Sequence, residues 1–399
     1  MAKTMYATLC AGLLLCTAGA ASGQSAFDKT HLTDLFLAEG GAIGDLNGDG
    51  AADLVAGPYW YAGPSFEARH AFYAPRPFSI RGFSYSDNFI VEVHDFNDDG
   101  RNDILVIGFP GQEAFWYENP GEPDTEGAGY WTRHLALPRV DNESPHILDI
   151  DGNGRPEIVC HVDGYLGYAS YDPERPAEPW EFRQVAGPYE GLFRFTHGFG
   201  VGDVNGDGLP DLLMSNGWWE NPGFDADTPW ERHEEAFALG SAQMYAYDVD
   251  GDGLNDVIAG RDAHGWGLSW FRQLPDGGFE KHIILRGDAA REPGRVRFSQ
   301  LHAVALADMD RDGLKDIVTG KRFRAHGEAM DPEPNAPPVL YWFRLTRTDN
   351  GDVVWIPHLV DDDSGVGVAL AVKDANGDEY PDILVVNKKG AYIFRQNIR

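Results

Sequence analysis

Asp203-Val204-Asn205-Gly206-Asp207-Gly208-Leu209-Pro210-Asp211-Leu212-Leu213 is the stretch whose reading decides the fold. Carboxylate or amide side chains stand at positions 1, 3, 5 and 9, Gly208 stands at position 6, and an apolar run follows. Short oxygen-bearing side chains at alternate positions of a tight loop can wrap one hard cation. Ca²⁺ takes six to eight oxygens, and glycine permits the sharp bend with φ > 0. An EF-hand loop would carry its glutamate at position 12, between two helices. Here position 9 leads straight into a strand-like run, which excludes that reading.

The pattern recurs at Asp45, Asn47, Asp49 and Asp53; at Asp95, Asn97, Asp99 and Asp103; and at Asp149, Asp151, Asn153 and Glu157. It recurs again at Asp248, Asp250, Asp252 and Asp256; at Asp308, Asp310, Asp312 and Asp316; and at Asp374, Asn376, Asp378 and Asp382. With Asp203, Asn205, Asp207 and Asp211 these make seven loops, whose starts lie 45 to 66 residues apart, so the chain is an internal repeat. The expected cofactor is structural Ca²⁺, up to seven ions. Asn153 and Glu157 alter the third loop, and Glu379 replaces glycine in the seventh, where a left-handed backbone costs more. Those two sites are expected to bind more weakly.

Each repeat has a small or apolar strand before the acidic loop and a second strand after it. A third, aromatic strand follows: Tyr59-Trp60-Tyr61, Phe115-Trp116-Tyr117, Trp218-Trp219, Trp270-Phe271, Tyr341-Trp342-Phe343 and Tyr392-Ile393-Phe394. A fourth carries an aromatic and then a histidine: Phe66…His70, Trp131…His134, Trp230…His233, Phe279…His282 and Trp355…His358, with Trp180…Arg183 divergent. Four short strands per unit without helical periodicity predict β-propeller blades. The last repeat stops at Arg399 after its third strand, while Phe27–Leu32 has the fourth-strand pattern. The expectation is an all-β, single-domain, seven-bladed propeller over residues 24–399, its ring closed by residues 27–32 completing the last blade. The Pro-rich stretch 331–338 reads as a long loop of the sixth blade.

The chain has 63 acidic and 32 basic residues, a formal charge of −31. That excludes nucleic acid or an anionic membrane as a natural partner. Residues 1–23 read as a secretory signal: Lys3, an apolar stretch around Leu9–Leu15, then small residues to Gly23. The run is too short for a membrane span. The expected address is periplasmic or extracellular. Cys10 and Cys16 leave with the signal, and Cys160 alone cannot form an internal disulfide.

Six residues before each loop's first Asp stand Glu39, Phe89, Glu143, His197, Ala242, His302 and Val368. In a propeller the first strand is innermost and begins at the face opposite the acidic loops. Glu39, Glu143, His197 and His302 should therefore meet at one funnel mouth. Loops leaving the second strands return there with Arg261, His264, Lys321, Arg322 and His326. The mouth suits acid–base chemistry on a carbohydrate or other small polar ligand. His197 or His302 would serve as base and acid, Glu143 would orient one of them, and Arg261 or Arg322 would hold an enolate oxygen. Trp218 and Trp219 would stack on the sugar, with Glu39, Gln243, Tyr245, His264, Gln300, Lys321 and His326 completing its binding site. His197, His302 and Glu143 could instead form a His₂-carboxylate metal site. They come from different repeats with no local ligand spacing, which sets a catalytic metal behind acid–base catalysis. No Gly-x-Ser-x-Gly elbow is present, and the glycine string 198–202 opens a strand, excluding a dinucleotide site.

The repeats resemble the FG-GAP/VCBS family, whose acidic loops bind Ca²⁺ in propellers including the integrin head. Asn142-Glu143-Ser144-Pro145, His197-Gly198-Phe199-Gly200-Val201-Gly202 and the Trp-Trp-Glu-Asn-Pro third strand at 218–222 are similar to the propeller part of aldos-2-ulose dehydratases. That resemblance implies a carbon–oxygen lyase that eliminates water from keto-sugars, here without the cupin and lectin-like domains of those enzymes. The alternative is a non-catalytic propeller that binds a glycan or a protein partner.

Overall fold

The computed structural model describes residues 26–121, 129–287, 295–348 and 350–397; the signal-like stretch 1–23 lies outside them. Every regular element among the described residues is a β-strand, and no helix is long and apolar enough to cross a membrane.

The quoted stretch sits in a unit that shows how each repeat is built. Phe199–Gly202 pairs antiparallel with Asp211–Met214, which pairs with Gly217–Glu220, which pairs with Glu231–Glu234. The same succession runs from Gln243–Tyr247 to Phe279–Leu285 and from Leu301–Ala307 to Val353–Asp361. Thr132–Leu148 departs from it as one continuous strand of 17 residues. Its first part is the outer strand on Gln112–Glu118 and its last part is the inner strand on Glu157–Val162. Ala26–Thr33 lies antiparallel on Gly390–Asn397, with Ala26 opposite Asn397, so the two ends of the described chain share a sheet.

Hydrogen bonds within the acidic loops explain why positions 1, 6 and 9 recur. The position-6 N–H donates to the first Asp in all seven loops, as Gly208 does to Asp203 Oδ2 at 2.9 Å. The backbone there is left-handed, with φ 89° at Gly208 and φ 73° at Glu379, the non-glycine exception. Position 9 is buried and turns inward. Asp211 Oδ2 accepts the Val204 N–H at 2.8 Å, and its Oδ1 accepts the Asn221 N–H at the end of the third strand, also at 2.8 Å. This carboxylate ties the acidic loop to its own sheet. Burial pushes Asp211 up to about 6, against the pull of those two donors.

Positions 3 and 5 differ from the cation-wrapping arrangement expected of them. In four loops the position-3 amide donates from Nδ2 to the position-5 carboxylate instead of turning its oxygen beside it. Asn47 meets Asp49 at 3.0 Å, Asn97 meets Asp99 at 3.2 Å, Asn205 meets Asp207 at 3.0 Å and Asn376 meets Asp378 at 3.1 Å. The oxygens are occupied as well. Asn47, Asn97, Asn205 and Asn376 each accept the N–H of their position-5 partner through Oδ1. Asp49, Asp99, Asp207 and Asp378 each accept the N–H two residues on, at 2.8–2.9 Å. Asp99 also pairs with Arg101. The physical reason is local. A short amide two residues before a carboxylate offers donor and acceptor at once, and an Asx-type turn satisfies both without a cation. As placed, Asn47, Asp49, Asn97, Asp99, Asn205, Asp207, Asn376 and Asp378 form turns, a bonding pattern that the same side chains can exchange for a cation. Three carboxylates do gather within 4.8 Å in the loops that begin at Asp149, Asp248 and Asp308. In the last two a guanidinium lies among them: Arg272 pairs with Asp250 and Asp252, and Arg344 with Asp310 and Asp312.

The fourth-strand histidines are stacking partners. His70, His134, His233, His282 and His358 lie on Trp60, Trp116, Trp218, Trp270 and Trp342 at centroid distances of 4.1–4.4 Å, and His31 lies on Tyr392 at 4.8 Å. Apolar cores form between successive units; Val204, Leu213 and Trp218 pack with Met244, Val257 and Phe271 of the next repeat. Each strand thus buries one face against its neighbour unit, which is how an all-β chain of this length removes apolar area from water.

Asp211→Ala would leave two buried amides without an acceptor, at about 1–3 kcal/mol each. Urea unfolding should show a loss of about 2–6 kcal/mol, with a smaller loss for Asp211→Asn, which keeps one acceptor.

Candidate functional site

Inner strands that begin at the face opposite the acidic loops deliver their leading residues to one place. Glu143 lies within Thr132–Leu148, His197 two residues before Phe199–Gly202, and His302 within Leu301–Ala307. His264 arrives on the loop after Asp256–Gly260. His197 Nε2 lies 3.2 Å from His302 Nε2 and 2.9 Å from His264 Nε2. Glu143 Oε2 lies 3.3 Å from His197 Nε2 and 3.2 Å from His302 Nε2. These four residues each bring one ligand-type atom within 4.8 Å of the others.

Backbone strain and cross-loop bonds hold the set. Asn142 has φ 87° and Gln300 φ 58°, just ahead of Glu143 and His302. Non-glycine residues in that region cost about 1–3 kcal/mol each, and persist where the surroundings over-determine them. The Asn142 and Glu143 N–H groups donate to Arg194 O and Thr196 O, strapping the Glu143 segment to the loop that presents His197. Gly198 turns the chain at φ 84°, where a Cβ would lie 2.3 Å from Ser215 Oγ. The His264 N–H donates to Asp262 Oδ1 at 3.0 Å, and the Gln300 N–H to Gly265 O at 2.7 Å.

Protons decide what the cluster can do. His197 Nδ1 is 2.9 Å from Phe195 O, so Nδ1 carries a proton and Nε2 faces the cluster. Burial, followed by the positive charge of Arg322, lowers His302 to about 3. Burial and the neighbouring His302 and His197 lower His264 further. Burial would raise Glu143, but its bonds to His197 and His302 prevail and hold it well below the carboxylate range. Near neutral pH His302 and His264 are neutral imidazoles and Glu143 is a carboxylate. The ligand-to-ligand edge of a tetrahedron with metal–ligand bonds of about 2.0–2.1 Å is about 3.3–3.4 Å. The observed separations of 2.9–3.3 Å match it closely enough for small side-chain shifts to close the cage. Three nitrogens and one oxygen suit a borderline divalent ion such as zinc.

A charged shell surrounds the cluster. Arg322 donates from Nη2 to Glu39 Oε2 at 3.0 Å, both 1% exposed, and its Nη1 lies 3.9 Å from Glu143 Oε2. The His326 ring is 4.3 Å from that of His264, with Nδ1 3.5 Å from Asp331 Oδ1. Tyr85 closes one side, its ring 5.8 Å from the Arg322 guanidinium and 4.4 Å from Lys388 Nζ.

The expected residues therefore separate. Glu39, Glu143, His197, His264, His302, Arg322 and His326 come together. Trp218 and Trp219 do not, which corrects the stacking role: Trp218 lies under His233, and Trp219 is buried with Nε1 donating to Tyr189 OH at 2.7 Å. Paired aromatics on one strand face opposite sides of the sheet, so both entered inter-unit cores. Arg261 is also corrected, since its Nη1 donates to Gly287 O away from the cluster. Gln243 and Tyr245 strap inner strands, Gln243 through Val368 O and the Val304 N–H, and Tyr245 through Val304 O. Gln300 is buried beneath Ala325, and Lys321 donates to Ser299 Oγ. Tyr85 and Asp331 escaped the sequence reading because they stand on irregular loops outside the repeat count.

Comparison with known proteins agrees with this frame. The FG-GAP-like repeat model matches residues 95–160 and 248–319, and the FG-GAP repeat model matches 195–224. No curated protein matches the chain in sequence. Among solved structures, an N-acetylglucosamine-recognising lectin from Agrocybe aegerita is similar at 17% identity and TM-score 0.50, over 93% of this chain and 88% of that one. BBS1N, solved with ARL6DN, is 12% identical at TM-score 0.49, over 93% and 96%. The rhamnogalacturonan lyase YesW is 12% identical at TM-score 0.43, over 94% and 73%.

Trp219→Ala should cost about 3–5 kcal/mol of unfolding free energy as a core truncation, while calorimetry finds ligand and metal binding at the mouth unchanged. The chain carries FG-GAP repeats on a β-propeller fold.

Proposed function

We propose that the chain is an exported, seven-bladed propeller whose funnel mouth holds one divalent transition metal and eliminates water from a keto-sugar. One observation carries this reading: three histidines and the Glu143 carboxylate bring their ligand atoms within 4.8 Å of one another, four of the separations being 2.9–3.3 Å, close to a coordination-shell edge. Four lone-pair-bearing atoms do not meet in a buried site without a cation or shared protons between them. The convergence reverses the order set from sequence, in which free acid–base histidines came before a metal. It also moves His264 from sugar binding to the ligand set.

A metal held there supplies Lewis acidity toward a carbonyl oxygen. The remaining chemistry falls to the surrounding side chains. His326, oriented by Asp331, removes the proton on the carbon beside the carbonyl. The electron pair forms a C=C bond as the β C–O bond breaks. The departing oxygen takes up a proton, so H⁺ and HO⁻ leave together as water and no oxidant or reductant is required. Arg322, fixed by Glu39, faces Glu143, which its bonds to His197 and His302 hold as an anion. Saturable sugar binding without product would favour the non-catalytic module instead.

Metal analysis of purified protein should give about one zinc-like ion per chain, lost in His302→Ala. 1,5-Anhydrofructose and 3-keto-glycosides should develop an enone absorbance with wild type and none with that variant. Equal metal content in the variant, or equal turnover after chelation, would sink the reading. Because His302 sits at about 3 and Glu143 below its usual range, metal should be retained below the ordinary imidazole pKa of about 6.5, and released as pH falls toward the His302 value and protons displace it.

Calcium in the acidic loops belongs to the same proposal. Arg272 and Arg344 already bridge the position-3 and position-5 carboxylates of the loops that begin at Asp248 and Asp308, so the seven loops less these two leave five for Ca²⁺. In four of the five, Asn47, Asn97, Asn205 or Asn376 must release its position-5 partner and turn its oxygen to the ion, a rotation about one side-chain bond. Each occupied site would add about 2.7 kcal/mol at a hundred times Kd. Removing calcium with a calcium-selective chelator should therefore lower Tm markedly; an unchanged Tm would mean that hydrogen bonds alone hold the loops.

A further inference from the structure

A cleft of ≈ 750 Å³ runs outward from beside the mouth between the first and second repeats. Its inner end is made by Phe83 and Tyr85. Both lie against the shell of the four-residue cluster: Phe83 is 5.8 Å from the His326 ring, and Tyr85 is 5.8 Å from the Arg322 guanidinium. From there the wall passes Phe109 and Phe115 to Tyr130 and Arg133 at the outer strand. The cleft therefore adjoins the mouth through Phe83 and Tyr85, and none of its lining belongs to the four-residue cluster.

We infer that this cleft binds neutral sugar units that continue from the reacting sugar, so that the substrate is an oligosaccharide or extended glycoside rather than a free monosaccharide. The placement of the reacting sugar rests on the proposed function; binding in the cleft does not. Three features point to this ligand class. Aromatic faces accept the C–H faces of pyranose rings, and here they alternate with groups able to hold hydroxyl pairs. The Arg133 guanidinium lies over Phe115, 4.1 Å from its centroid, and is exposed; one of its N–H groups bonds the Tyr117 side chain, and a guanidinium has five to share with a ligand. Gln112 and Glu113 are exposed beside it, and Arg76 pairs with Asp87 at 3.2 Å nearby.

Size and charge narrow the ligand further. Clefts of about 300–1,000 Å³ enclose drug-sized ligands, which places about two or three sugar units in this one. Two arginines face two carboxylates in the lining, so the cleft itself is balanced. The chain as a whole carries −31, which repels an anionic polymer and leaves a neutral one as the occupant.

The test is calorimetric titration of the full chain with gluco-, manno-, galacto- and xylo-oligosaccharides of one to four units, before and after removal of the metal. In at least one series affinity should rise about tenfold or more from one unit to three. Arg133→Ala and Tyr130→Ala are exposed changes that leave the fold intact by thermal melting. They should remove most of that gain without altering monosaccharide binding. Absence of length dependence in every series, or variants that bind the trisaccharide as wild type does, would overturn the proposal. The two readings fail separately. Length-dependent binding without turnover of keto-sugars keeps the cleft and removes the lyase. Turnover of free keto-monosaccharides without length dependence keeps the lyase and removes the cleft.

Discussion

A buried carboxylate that accepts two backbone amides is the interaction on which the rest of the molecule depends. At position 9 of each acidic loop the residue is at most 1% exposed, and in every loop it accepts the N–H of the residue after the first Asp. Burying such a group is costly unless its oxygens are filled. In six loops the second oxygen is filled by an amide at or just past the end of the third strand. Glu157 is the exception: its longer side chain reaches the Ile150 amide, but its other oxygen meets only Asn153 Nδ2 at 3.4 Å. One side chain therefore fixes the loop, the start of the second strand and the end of the third. The strand stack of each repeat then presents its inner strand in a constant direction.

That constant direction builds the site. Inner strands that all run the same way place their first residues at one face, where repeats 105 positions apart in sequence bring His197 and His302 together. The residues that depart from the repeat at this face are the polar ones. Elsewhere the corresponding positions are Phe89, Ala242 and Val368, all buried and apolar. The backbone yields to the same demand, with left-handed Asn142 and Gln300 beside two of the cluster residues. Electrostatics there oppose the chain's average. Arg322, Lys321 and Lys388 are almost wholly buried near the mouth of a protein that carries −31 overall, and burial lowers both lysines to about 8. These three cations face the carboxylates Glu39, Glu143 and Asp331, so charge at the mouth is paired although the chain as a whole is acidic.

The repeat was legible because its signals are local. Asp, Asn and Gly at fixed positions answer to hydrogen bonds within a dozen residues, and the third-strand aromatics and fourth-strand histidines answer to a single strand pairing. Spacing alone did not separate an ion-wrapping loop from a self-bonded turn, because Asn47 and Asp49 satisfy either with the same side chains. The mouth was legible only in part. Counting back from each acidic loop finds Glu39, Glu143, His197 and His302, since strand length and direction carry over from one repeat to the next. Trp218 and Trp219, placed at the mouth because the loop after the second strand returns there, have neighbours across the next repeat's face that take them into the core. Arg261 was misassigned for a related reason. A loop's address is set by the repeat, but the rotamer of a long side chain is set by whichever carbonyl lies nearest, here Gly287 O.

By itself the sequence determined the all-β repeat, the acidic loops and the short set of polar residues that interrupt an otherwise apolar inner position. Those follow from backbone hydrogen bonding and from period-two burial, which act over a few residues. Tertiary structure alone decided that His264 joins His197, His302 and Glu143, that Tyr85 and Asp331 belong to their shell, and that an open cleft adjoins it. Each of those depends on distances between side chains on separate repeats. Such distances are fixed only when the sheets pack against one another and loops of unequal length settle over the same face.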